Sequence, residues 1–163
     1  MRDCRIVSLP MLALIVLACG GPGAAPLEEN KALVRQWIQD VDKGSLDFID
    51  KWMTSDLQTY INSPDPMDLA GYREMMSTFL GAFSDLRHEI HYMVAENNLV
   101  AAGFTLHMVH TDEYQEIAPT GRSISIEGIV VVRLRDGKIV EEWLVVDFAA
   151  LQQQLEAPAV AAQ

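Results

Sequence analysis

The sequence predicts an α+β domain: about three helices come first, a curved antiparallel β-sheet packs against them, and a short C-terminal helix follows. Three observations predict it. Apolar residues recur at helical spacing from Leu33 to Phe83, the period changes to two after Asp85, and Asp136-Gly137 joins two β-branched runs. The hairpin signal is the sharpest, because the turn needs φ > 0 and Gly supplies it without steric cost.

Taken in order, Leu33, Val34, Trp37, Ile38 and Val41 fall on one face of a helix over Glu28–Asp42, with Glu28 and Glu29 at its favourable N-terminal end. Gly44 can end that helix in αL geometry, and Ser45 can cap a second one carrying Phe48, Ile49 and Trp52. Leu57–Ile61 is a short strand, and Asn62-Ser63-Pro64-Asp65-Pro66 a loop. Asp68 caps a third helix whose Tyr72, Met75, Met76, Phe79 and Phe83 form a core stripe. His88–Ala95 and Leu99–Thr111 are strands joined at Glu96-Asn97-Asn98, where Asn can take the positive φ.

The long hairpin follows the turn Pro119-Thr120-Gly121. Its first strand aligns Ile124, Ile126, Gly128, Val130, Val132 and Leu134. The return strand divides into Ile139, Glu141, Trp143, Val145 and Asp147 on one side, and Val140, Glu142, Leu144 and Val146 on the other. Both sides are rich in apolar residues, which predicts a sheet covered on one face and curved around a hollow. A carboxylate sharing a side with Trp143 and Val145 is the feature taken to face that hollow. Leu151 and Leu155 mark the last helix.

Residues 1–18 are read as a lipoprotein signal peptide: Arg2 and Arg5 precede an apolar run, Ile6 to Ala18, too short for a comfortable membrane span. Val16-Leu17-Ala18-Cys19 resembles a bacterial lipobox, with Cys19 lipidated; secretory cleavage after Ala18 or near Ala25 is the alternative. This implies export and a bacterial membrane-anchored lipoprotein on the periplasmic or extracellular face, held through its acyl chains. Cys19 would then be the one cysteine left, so neither a disulfide framework nor a cysteine metal site is expected. The chain carries a net charge of −11. Removing Arg2, Asp3 and Arg5 leaves 10 basic against 22 acidic residues, a surface that repels nucleic acid and anionic head groups. His88 and His91, like His107 and His110, are three apart and fall on opposite strand faces, so no metal is expected. No phosphate loop or Gly-x-Ser-x-Gly elbow is present.

Several motifs resemble those of the SnoaL-like polyketide cyclase, or ester cyclase, family within the nuclear transport factor 2-like fold. They are Phe104-Thr105-Leu106 running into His110-Thr111-Asp112-Glu113-Tyr114, then Ala118-Pro119-Thr120-Gly121-Arg122, then Gly128-Ile129. Arg133 to Trp143 (RLRDGKIVEEW) follows, with a later Asp147. The resemblance covers about Asn30 to Leu155. Together with the amino-terminal reading, the chain divides into a signal peptide at 1–18, a tether at 19–27, a cone-shaped domain at 28–156, which the resemblance covers, and a tail at 157–163. The resemblance implies an apolar small-molecule pocket, often in a dimer, and acid/base chemistry on a carbonyl compound, of aldol cyclase or isomerase type, without metal or cofactor.

The resemblance also assigns roles. Asp147 matches the family's acid/base, which burial beside Trp143 and Trp37 would suit by raising its pKa; capping of the last helix is the alternative. His110 would assist, or else is a satisfied structural residue. Tyr60, Phe104 and Glu127 complete the expected pocket, though Glu127 also reads as a solvated strand residue. Two other functions stand beside the enzyme: binding a hydrophobic molecule without turnover, and dimerising or docking a partner through the open sheet.

Overall fold

The computed structural model describes residues 24–157. Its elements are α1 (Ala24–Val41), α2 (Asp47–Trp52), β1 (Met53–Ile61), α3 (Leu69–Ala82), β2 (Phe83–Glu96), β3 (Leu99–His110), β4 (Ser123–Arg135), β5 (Lys138–Val146) and α4 (Phe148–Glu156). The five strands form one sheet in the order β1-β5-β4-β3-β2. Neighbours among β2 to β5 are antiparallel, as the hairpin signals require. β1 is the exception to the antiparallel expectation: it runs parallel to β5, with Thr59 opposite Glu142 and Tyr60 opposite Trp143. Among the described residues, no helix is long and apolar enough to cross a membrane.

The helices cover one face of the sheet because their apolar stripes have nowhere else to go. α1 buries Val34, Trp37, Ile38 and Val41; α2 buries Phe48, Ile49 and Trp52. α3 starts where Asp68 accepts a hydrogen bond from the Gly71 N–H at 2.9 Å. β4 alternates between exposed and buried residues, so Ile124, Ile126, Val130, Val132 and Leu134 face the helices.

The hairpin contains a register change. Asp136 and Gly137 take positive φ, 52° and 75°, and close a two-residue turn in which Arg135 pairs with Lys138 and Leu134 with Ile139. The next pairs are Arg133 with Glu141 and Val132 with Glu142, so Val140 is an extra residue in β5. This bulge carries through the rest of the strand: Val130 pairs with Leu144 and Gly128 with Val146. A one-residue shift exchanges the two faces of a strand.

Gly128 lies where the sheet leaves no room for a side chain. A Cβ there would sit 2.5 Å from Phe104 Cζ and 2.9 Å from Val146 Cγ1. We predict that Gly128→Ala lowers stability by about 1–3 kcal/mol through this overlap. Urea denaturation measures it; an unchanged midpoint would show that Phe104 moves aside freely.

Candidate functional site

Between the inner face of the sheet and the helices lies a cavity of about 310 Å³, within the range of small-molecule sites. Trp37, Ile38 and Val41 of α1, Tyr72, Met75, Met76 and Phe79 of α3, and Phe104, Leu106, Ile126, Val130, Leu144 and Val146 of the sheet supply most of its wall. Ile61, Met67, Leu86, Tyr114, Gln115 and Phe148 add to the lining. Against this apolar lining stand two acid/base side chains, Glu142 and His88.

Glu142 is only 2% exposed. The bulge at Val140 turns it inward, and the parallel pairing of β1 brings Thr59 beside it. Thr59 Oγ1 donates to Glu142 Oε2 at 3.3 Å, and no cation pairs with the carboxylate among the described residues. Burial therefore dominates and pushes the carboxyl up to about 7, against the weaker opposing effect of the Thr59 and Tyr72 hydroxyls. The same burial, followed by the nearby Glu142 charge, raises the Tyr72 phenol well above its usual value.

His88 sits on another part of the wall. Its Nδ1 lies 2.5 Å from Asp42 Oδ1, and its backbone N–H donates to the same carboxylate at 3.1–3.2 Å. Its ring meets Phe104 edge-on, with centroids 4.8 Å apart.

Among the residues expected to form the site, the structure brings only Trp37 and Phe104 to the cavity. Asp147 is displaced from the acid/base role: it is exposed, and its Oδ1 accepts from the Ala150 N–H at 2.8 Å, capping α4. Tyr60 and Trp143 stack on each other at 5.7 Å on the opposite face of the sheet, and the Arg133 guanidinium lies 5.6 Å from the Trp143 ring. Glu127 also faces outward and accepts from Thr105 Oγ1 at 2.8 Å. The bulge explains Trp143 and Asp147, which it turns away from the cavity. Tyr60 follows Trp143 by its pairing, and Glu127 lies on the exposed phase of β4.

His110 is fully buried but does not line the cavity. Thr120 N–H donates to its Nδ1 at 3.2 Å, so the ring proton sits on Nε2, which has no partner among the described residues. It is not placed to orient Asp147, which is engaged with α4. Cys19 lies outside the described residues. Among those described, no cluster of three or more His, Cys, Asp or Glu side chains could hold a metal ion.

Sequence reasoning missed Glu142, Tyr72 and the Asp42–His88 pair as site residues. One signal was available for Glu142: a single acid interrupting the apolar series Val140, Leu144, Val146. Tyr72 was assigned to the core stripe, and the Asp42–His88 pairing joins residues 46 apart.

Residues 32–155 match the model of the SnoaL-like polyketide cyclase family. Among solved structures, the chain is similar to AclR from Streptomyces galilaeus, provisionally described as a hydroxylase, with 29% identity and a TM-score of 0.74 over 79% of this chain and 96% of that one. It is also similar to IdmH from Streptomyces antibioticus, a provisional polyketide cyclase, with 22% identity and a TM-score of 0.68 over 78% and 98%. A SnoaL-like protein of Jannaschia sp. CCS1 shares the fold at 15% identity, with a TM-score of 0.72 over 81% and 94%. No curated protein sequence matches the chain.

The Glu142 carboxyl couples stability to pH. It is released near 4.5 in the unfolded chain and near 7 in the folded one. Between those values the folded protein holds a proton that the unfolded chain has lost, so the contribution of this group to stability is full below about 4.5 and falls toward pH 7. The loss is roughly 3 kcal/mol, at about 1.4 kcal/mol per pH unit. Glu142→Gln should flatten this slope in urea titrations run across the window; a slope identical to wild type would show that Glu142 titrates normally.

Proposed function

Because the chain belongs to the SnoaL-like polyketide cyclase family, we propose that its cavity takes up an apolar, carbonyl-bearing small molecule and that Glu142 moves a proton on it. The observation carrying this reading is the position of Glu142: an acid without a cation partner among the described residues, in the wall of an apolar cavity. In its ionised form Glu142 takes a proton from the carbon next to the ligand's carbonyl, leaving an enolate. The resulting acid then returns the proton, either to the alkoxide formed when the enolate adds to a second carbonyl or to carbon in an isomerisation. A carboxyl titrating near neutrality suits both halves of that cycle. The Tyr72 hydroxyl favours the charged form of Glu142 that begins the cycle.

2-Acetylnaphthalene, a flat neutral ketone, tests this reading in D2O. Quenching of tryptophan fluorescence, with Trp37 in the wall, reports binding, and NMR reports exchange of the methyl hydrogens. Wild-type protein should accelerate exchange with a rate that rises as Glu142 ionises. Glu142→Gln should remove roughly 100-fold or more of the acceleration while still binding, and Asp147→Asn should retain it. Binding without exchange in the wild type would refute the catalytic reading and leave a ligand carrier, which the apolar lining alone would support.

We also propose, from residues 1–19 alone, that the protein is exported and anchored through lipid on Cys19. In a bacterial host, Cys19→Ala should move it from the membrane fraction to the soluble fraction. Unchanged membrane retention would refute the anchor.

A further inference from the structure

The cavity has a second polar feature that proton transfer at Glu142 does not use. Asp42 follows α1 directly, at the end of a helix where the backbone dipole disfavours an anion. Its carboxylate is engaged with His88, at Nδ1 and at the backbone N–H, and with no other described residue. In the neutral form of the imidazole the carboxylate accepts the Nδ1 proton, which fixes the tautomer and leaves Nε2 as an acceptor. Nε2 makes no hydrogen bond among the described residues. His88 nevertheless lines the cavity, with Nδ1 engaged by Asp42 and Nε2 unpaired among the described residues.

Register shows how far this group lies from Glu142. His88 pairs with Leu106, which pairs with Ile126; Glu142 pairs with Val132. Six residues of β4 separate the two rows, about 20 Å of strand, with β3 and β4 between β2 and β5. Phe104 and Val130 belong to the apolar wall between them. The two groups therefore meet different parts of a ligand.

We propose that His88, held by Asp42, is a specificity-determining residue that accepts a hydrogen bond from a hydroxyl group of the ligand. This inference rests on the reading of the cavity as a ligand site and narrows its ligand. The molecule is elongated and largely apolar, with a hydroxyl donor at the end away from the carbonyl that Glu142 meets. An apolar ligand lacking the hydroxyl would leave the His88 acceptor desolvated and unpaired, which is how a buried polar group discriminates.

The test compares 2-naphthol with 2-methoxynaphthalene, which keeps the ring and the oxygen but lacks the donor. Affinities come from tryptophan quenching. Wild-type protein should bind 2-naphthol about tenfold tighter, the effect of one net hydrogen bond. His88→Phe should abolish the preference, His88→Gln, whose amide oxygen can accept, should retain part of it, and Glu142→Gln should leave it intact. Melting curves of the variants confirm that each is folded. Equal binding of the two probes by the wild type, a preference surviving in His88→Phe, or one lost in Glu142→Gln would each overturn the inference. Loss of ketone exchange in Glu142→Gln alongside equal binding of the naphthalenes would refute the His88 role alone. If neither naphthalene nor the ketone binds, the cavity reading goes with it.

Discussion

A carboxyl group shut into an apolar cavity without a neutralising cation is the constraint on which this structure turns. Ionising it there costs several kcal/mol in desolvation, and the hydroxyls of Thr59 and Tyr72 return only part of that. The group therefore keeps its proton up to neutrality. Its neighbour in sequence shows the opposite solution: Glu141 faces outward and accepts from Arg133 Nε at 2.6 Å. Two adjacent glutamates thus occupy two electrostatic environments, one paired and half-exposed, the other unpaired and dry. A protein selected for stability alone would gain by replacing the second with an apolar residue. Its presence here matches the tension between stability and activity that the proposed proton transfer would create.

The elements of the fold were legible because each carries a local cause. The stripe Val34-Trp37-Ile38-Val41, the Asp68 cap and the Asp136-Gly137 turn all act within a few residues, and all appear where expected. The site was legible only in part. A two-residue turn with continuous pairing would set Val130 against Trp143, placing the Trp143 and Asp147 side of β5 inside. The bulge at Val140 sets Val130 against Leu144 instead and moves Glu142 inward. Period-two reasoning divides β5 into its two faces beyond Val140 but cannot choose between them, since both carry valines and an acid, and it puts Ile139 with the wrong one. Nothing in Lys138-Ile139-Val140-Glu141 marks the extra residue. Asp42 and His88 were hidden for a different reason, because their contact exists only once α1 has packed on β2.

The motif residues prominent in the sequence act largely as scaffold. Thr120 fixes the His110 ring, and Arg122 Nη1 donates to the Gln154 and Leu155 carbonyls at 3.0 and 2.8 Å, satisfying the C-terminal end of α4. Asp147 holds the other end of the same helix through Ala150 N–H. Asn62 joins them: its side-chain oxygen accepts from Val146 N–H at 2.9 Å and its amide donates to Val146 carbonyl at 2.8 Å. These contacts fix the end of β5 and seat α4, whose first residue, Phe148, borders the cavity. Such residues shape the cavity without lining it.

The extra residue at Val140 also affects how this chain should be aligned with distant relatives. A relative whose hairpin lacks it would superpose on β5 only if a single gap were opened there. An alignment without that gap would set its inward side chains opposite Glu141, Trp143 and Val145, and every correspondence downstream would be off by one position. For such a pair, residue roles should be transferred from superposed backbones rather than from a string of letters.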